Sequence, residues 1–205
     1  MPLTLTIEFE TASHHGNGLG LAGIVDRALL RDQDGMPYLA GSALKGKFRY
    51  VGLLILRAGP EAALYPRHAE HACSSAEACI LCRIFGSRGQ PGAAIFNNAF
   101  PMDHEKRLIE SLAGISSSTF LSGGSEIRTS TAIDRARRTV LAEHLFSTEI
   151  LPSFIRFRCD IGGALTPEQV EFLTRCAKLL NCFGGGSARG AGICRFVPIP
   201  DPEAA

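Results

Sequence analysis

His71, Cys73, Cys79 and Cys82 fall within twelve residues, spaced His-x-Cys-x5-Cys-x2-Cys. Thiolate and imidazole are the ligands zinc prefers, and four of them close a tetrahedron with no open position, which makes the predicted site structural. His68 is an alternative to His71. The plain reading is a loop with reduced thiols. Cys159, Cys176, Cys182 and Cys194 lie in apolar contexts and read as core.

A second group suits phosphate. Phe183-Gly184-Gly185-Gly186-Ser187-Ala188-Arg189-Gly190-Ala191-Gly192 is glycine-rich. Backbone without Cβ takes φ > 0 and approaches a ligand closely. Packed N–H groups form an anion-binding concavity, and Arg189 adds a fixed charge. No Gly-Lys-Ser/Thr follows, and a helix precedes the loop, so it is neither a Walker nor a Rossmann turn. The alternative is a flexible linker. Upstream, Ser42 reads as a helix N-cap, with Lys45 and Arg49 one turn apart beside an apolar face and Lys47 between them. A helix start carrying these cations is a phosphate site or simply a solvated face. Asp26, in an apolar run just ahead of that helix, can position a metal-bound water or act as a base, or be merely structural. His14 and His15, beside Gly16 and Gly18, can contact phosphate or serve as acid and base. No Gly-x-Ser-x-Gly elbow and no His-Glu-x-x-His is present.

The elements that must carry these groups follow from periodicity. Leu3, Leu5, Ile7 and Phe9 alternate with polar residues, a half-buried strand. Leu44, Phe48, Val51 and Ile55 recur at helical spacing. Ala93–Phe96 with Ala99 and Phe100 suggests a second strand, and 103–125 is weakly patterned. Arg128, Arg135, Arg137 and Arg138 among threonines at 129, 131 and 139 suggest a projecting hairpin. Ile155–Ile161 alternates again. Thr166-Pro167-Glu168-Gln169 marks a helix start, with core stripe Val170, Leu173, Ala177 and Leu180, and Ile193–Ile199 reads as the last strand. The order is βαββαβ, a ferredoxin-like (RRM-like) α+β core in one domain over 1–205. An insertion at about 60–92 with little regular structure and a thumb at about 120–151 interrupt it.

Composition sets bounds. The chain has 205 residues, 45% of them hydrophobic, enough for one substantial core. A net charge of +1 gives no global basic field, so nucleic acid must be held by local patches. No run approaches the ~18 apolar residues of a membrane helix. The N-terminus is not a signal peptide, and seven cysteines are an odd number, which together lead us to expect a cytoplasmic chain with reduced thiols.

Four stretches carry a family resemblance. Tyr38-Leu39-Ala40-Gly41-Ser42-Ala43-Leu44-Lys45-Gly46-Lys47-Phe48-Arg49 resembles the first-helix motif of the RAMP superfamily of RNA-binding CRISPR proteins. Cys79-x2-Cys82-Arg83-Ile84-Phe85-Gly86 resembles the next motif of its type III branch. Arg128-Thr129-Ser130-Thr131-Ala132-Ile133-Asp134-Arg135 resembles the thumb, and Gly184–Gly192 the terminal loop. The match is to the repeated backbone subunit of type III effector complexes, the one that carries target-RNA cleavage.

This resemblance implies copies stacked along a guide RNA beside other complex subunits. It places Ser42, Lys45, Lys47, Arg49, Gly184, Gly185, Gly186, Ser187 and Arg189 on guide phosphates, joined by His14, His15, Arg128 and Thr129. Ile133 would wedge the guide–target duplex. Asp26 would promote attack of the target RNA's own 2′-OH, with Mg2+ or Mn2+ assisting. Two alternatives stay open: a non-catalytic RNA-coating scaffold, and a guide-processing endoribonuclease using His14 or His15.

Overall fold

The computed structural model describes residues 2–16, 18–20, 25–59, 78–114, 120–121 and 124–199. In chain order the elements are β1 (Leu3–Phe9), α1 (Gly41–Ala58), α2 (Ile80–Phe85), β2 (Ala94–Phe96), β3 (Phe100–Pro101), α3 (Asp103–Ala113), β4 (Phe120–Leu121), β5 (Ser125–Asp134), β6 (Thr139–Ile150), β7 (Arg156–Gly163), α4 (Pro167–Leu179) and β8 (Cys194–Ile199). The protein is α+β, with two antiparallel sheets.

The main sheet runs β2-β7-β1-β8, and β3 also pairs with β7. Alternation decides which face is inward: Leu3, Leu5, Ile7 and Phe9 of β1 and Phe157, Cys159 and Ile161 of β7 are all buried. On the other face Thr6 lies opposite Arg158, and Glu8 opposite Arg156 and Arg195. α1 and α4 cover the apolar face. Phe48 of α1 meets Phe96 of β2 and Phe196 of β8 edge-on, with centroids 5.4 and 5.6 Å away. Truncating so central a ring costs about 3–5 kcal/mol. Gly52 lets the helices close up, because a Cβ there would touch Leu81 of α2 and Phe172 of α4 at 3.0 Å.

The expected capping box of α4 is present. Gln169 N–H donates to Thr166 Oγ1 at 3.4 Å, and Thr166 N–H donates to Gln169 Oε1 at 3.0 Å. Of its expected stripe Leu173, Ala177 and Leu180 are buried and Val170 partly so, and Phe172 and Cys176 widen it. Ser42 is not a cap. α1 starts at Gly41 after Ala40, and Gly41 N–H is satisfied by Asn98 Oδ1 at 2.9 Å. The weakly patterned stretch from 103 holds α3, and the described part of the insertion holds α2 and a tight turn at Ser87–Gln90. Cys159, Cys176 and Cys194 are core, and burial pushes each thiol up to about 12. Cys182 is only half-buried.

β4, β5 and β6 form the second sheet, a hairpin that projects where the thumb was expected. Its base is tied to the domain through Glu149, which is buried. Glu149 Oε1 accepts from Arg31 at 2.6 Å and Ser125 Oγ at 2.5 Å, and Oε2 accepts from Leu29 N–H at 2.7 Å. Burial pushes the Glu149 carboxyl up, but the bonds from Arg31, Ser125 and Leu29 outweigh it and hold it below the usual carboxylate range.

Candidate nucleic-acid interface

Residues 25–27 lie along the free edge of β6. Arg27 bridges Thr148 in parallel, and Glu149 N–H donates to Arg27 O at 2.9 Å. Asp26 therefore sits against Ser147. Its Oδ2 accepts from Ser147 N–H at 2.7 Å and from Ser147 Oγ at 2.9 Å. Those two bonds, the backbone one first, hold its carboxyl below the usual range although the side chain is exposed. The result is an oriented carboxylate that stays ionised at neutral pH.

Successive residues of a strand point to opposite faces. Ser147 pairs with Thr129 across the hairpin, and Thr148 pairs with Arg128. On the Arg128 and Thr148 side lies a small cleft of about 170 Å3, where Arg27 and Arg189 join Arg128 beside His14 and Gly186. Among the described residues no carboxylate lines it. A hairpin with cations collected on one side and Asp26 held at its edge by the neighbouring residue can keep two strands apart.

The glycine-rich loop completes the cationic side. Gly185 N–H donates to His14 O at 2.8 Å. Gly184 has φ +99°, and a Cβ there would collide with that same carbonyl. A single 3-10 turn, Ser187–Arg189, lies between two left-handed glycines and presents exposed Ser187 and Arg189. His14 Nδ1 lies 2.7 Å from Glu149 O, so this nitrogen donates and the far edge of the ring faces the clefts.

His15 corrects the expectation drawn for it. Its ring is buried among Phe9, Phe157 and Phe183, with centroids 5.1–6.1 Å away. Burial, helped by His14, pushes its pKa down to about 3. His15 is a neutral packing residue that offers RNA no charge at pH 7, its nearly buried ring bordering the Lys47 cleft.

The cations of α1 divide. Lys47 lines a cleft of about 580 Å3 with His14, Tyr50, Gly184 and Gly185. Ser42, Lys45 and Arg49 line a separate cleft of about 900 Å3, whose far wall is the Gly86–Gly92 turn with Arg88. Thr129 is exposed on the hairpin, and Ile133, near its tip, is 62% exposed. The sequence-predicted residues that line clefts are thus divided among three, and Asp26, Thr129, Ile133 and Ser187 line none of these.

Cys79 is the N-cap of α2 and Cys82 follows three residues later, half-buried and buried respectively. Two thiols a helical turn apart fit half of a zinc site. His68, His71 and Cys73 lie outside the described residues, and among the described residues no three potential metal ligands cluster.

Ser147, Glu149, Arg31, Arg27 and Arg88 were not singled out from sequence. The first three act across more than a hundred residues and leave no local signal. Arg88 had one: it lies in Gly86-Ser87-Arg88-Gly89-Gln90-Pro91-Gly92, a turn-forming run.

A family model described as RAMP superfamily matches residues 6–195. No curated protein sequence matches the chain. Among solved structures, a chain of the type III-B Cmr-beta complex bound to cognate target RNA is similar with TM-score 0.64 at 15% identity, covering 97% of each chain. The apo Cmr-beta complex gives 0.65 at 15% identity over 98% of each. A chain of a type IV-B CRISPR complex gives 0.63 at 15% identity, covering 98% of this chain and 92% of that one. At such identity these likenesses speak for the fold.

Proposed function

The chain belongs to the RAMP superfamily, and from that membership we propose that it is the guide-RNA-binding backbone subunit of a type III CRISPR effector ribonucleoprotein. Its sheet order and two covering helices suit a ferredoxin-like core. The observation that carries the reading is the hairpin's division: three arginines around one cleft on one side, and Asp26 held at the edge by Ser147. The similar chains come from CRISPR complexes, one of them bound to target RNA.

In this reading the guide strand lies on the cationic side. The backbone amides of Gly184 and Gly186 and the side chains of Lys45, Lys47, Arg49, Arg128 and Arg189 hold its phosphates whatever the sequence. Base pairing selects the target. Ile133, with its apolar side chain in solvent, is the wedge that splays a base pair, and stacked copies of the chain repeat the cut at regular intervals. Asp26 meets the target strand there. The target's 2′-OH gives its proton to water as its oxygen attacks the adjacent phosphorus to form a 2′,3′-cyclic phosphate, and the bond to the 5′-oxygen breaks as that oxygen takes a proton from water. Splaying a nucleotide supplies the in-line geometry. The ionised Asp26 carboxylate orients the 2′-OH by accepting its hydrogen bond.

Mg2+ or Mn2+ would supply charge neutralisation at the phosphate, and Asp26 is the residue to hold it. One carboxylate suits such an ion when substrate phosphates provide the other ligands. Zinc would tie Cys79 and Cys82 to Cys73 and to His71 or His68, stabilising the insertion as a structural site.

The scaffold reading, RNA coating without cutting, is favoured by the lowered pKa of Asp26, which makes it a weak proton acceptor. Guide processing through His15 is disfavoured by that ring's burial. The test is reconstitution of the complex with a guide RNA and a divalent ion. Complementary RNA is expected to be cut at evenly spaced sites and scrambled RNA left whole. Guide binding without any cutting would leave the scaffold reading, and no guide binding would overturn both.

A further inference from the structure

α1 carries Lys45 and Lys47 on either side of Gly46, and the two lysines open into different clefts. Glycine inside a helix is disfavoured relative to alanine and needs a reason. Two glycines of α1 have one within the molecule. A Cβ at Gly41 would run into Phe96 O, and at Gly52 into Leu81 and Phe172. A Cβ at Gly46 would meet no atom within 4 Å. Gly46 is also exposed, and it lines the Lys47 cleft. Nothing among the described residues asks for a missing side chain there, and a backbone passing close over the helix would use one.

The cleft on the Lys45 flank has a second cationic wall. Ser87 and Gln90 exchange backbone hydrogen bonds of 2.9 and 3.0 Å, and Gly89 takes φ +79°, which sets Arg88 at the tip of a tight turn. Gly86 and Gly92 are in close contact and fix the base of that turn. Arg88 faces a cleft that also holds Lys45 and Arg49, and among the described residues none that lines it is acidic. Three like charges around one cleft repel one another until an anion enters.

We propose that one RNA strand crosses α1 at Gly46, laying a phosphodiester into the cleft on each side, and that Arg88 is a phosphate-binding residue of the Lys45 cleft. The inference rests on the reading that the chain holds an RNA strand. It adds where the strand crosses and which residue receives it on the far side.

The two substitutions have separable signatures. Gly46→Ala is expected to raise the melting temperature of the full chain, because the new Cβ has open space and suits a helix. It is expected to weaken binding of a fluorescein-labelled single-stranded RNA of mixed sequence several-fold, because the methyl occupies the crossing. Arg88→Ala is expected to leave the melting temperature unchanged and to reduce the slope of log K against log salt by about 0.7, the value for one phosphate contact to a single strand. Wild-type binding that survives both substitutions with affinity and slope intact overturns this inference alone. Absence of RNA binding by the unaltered chain at low salt overturns it together with the reading it rests on. Replacing the RNA with free inorganic phosphate separates the sources. Equal competition by phosphate at the salt concentrations used would make Arg88 an anion site unrelated to a strand and overturn the crossing.

Discussion

Ser147 binds the carboxylate of Asp26 twice, through its N–H at 2.7 Å and its hydroxyl at 2.9 Å, although the two residues are 121 positions apart. The carboxylate is thereby fixed to the hairpin. Ser147→Ala keeps the backbone bond and removes the other. Target cutting is expected to fall roughly tenfold, short of the hundredfold that a misplacement of about 1 Å brings. Guide binding is expected to be unchanged. Single-turnover cutting measured beside a guide-binding isotherm checks this, and equal cutting by the variant would remove the positioning role of Ser147.

His15 gives the fold a pH dependence whose sign is fixed. Its pKa is about 3 in the folded chain against 6.5 for an unperturbed ring. Between those values the unfolded chain binds the extra proton, so stability falls as pH drops, by up to about 1.4 kcal/mol per pH unit. The window from pH 7 to pH 5 isolates this effect from carboxylate titration. Melting temperature is expected to drop across it in the natural chain and to stay level in His15→Phe, which keeps an aromatic ring among Phe9, Phe157 and Phe183. A natural chain as stable at pH 5 as at pH 7 would contradict a neutral, buried His15.

Glu149 joins the hairpin to the domain. Glu149→Gln leaves Arg31 without its buried counter-charge, and breaking such a pair costs about 3 kcal/mol. Because the carboxyl pKa is lowered on folding, this contribution is complete above the ordinary Glu value and fades as pH falls through the folded one. Urea unfolding at pH 7 is expected to show the loss, with proteolysis moving to the 125–150 hairpin. Unchanged stability in the variant would mean the hairpin is anchored by its backbone pairing alone.

What could be read from sequence was local. Thr166, Pro167 and Gln169 announce the start of α4 because a capping box lies within four residues, and the alternation of β1 and β7 announces their buried faces. The Lys45–Lys47–Arg49 group was legible as cationic, but its partition between two clefts was not, because the Gly86–Gly92 turn and the 184–186 loop arrive from elsewhere in the chain. α3 escaped notice because only Glu105 and Ile109 of it are buried, too few to set a period. His15 looked like a functional histidine beside glycines. Only the tertiary approach of Phe9, Phe157 and Phe183 makes it a core residue.

The Cys79–Cys82 pair at the start of α2 carries the expectation of metal. Metal analysis of the purified chain is expected to give about one zinc, and Cys82→Ser to lower both the zinc content and the melting temperature. Zinc well below about one per chain would leave these thiols as packing for α2.

The central claim is that Asp26 acts on RNA held by the rest of the chain. The most direct measurement is guide-directed cutting of complementary RNA by the assembled complex carrying Asp26→Ala, with guide binding followed in the same preparation. The expected result is intact assembly and guide affinity with cutting reduced by at least about a hundredfold. Cutting at the natural rate by the variant complex would contradict it.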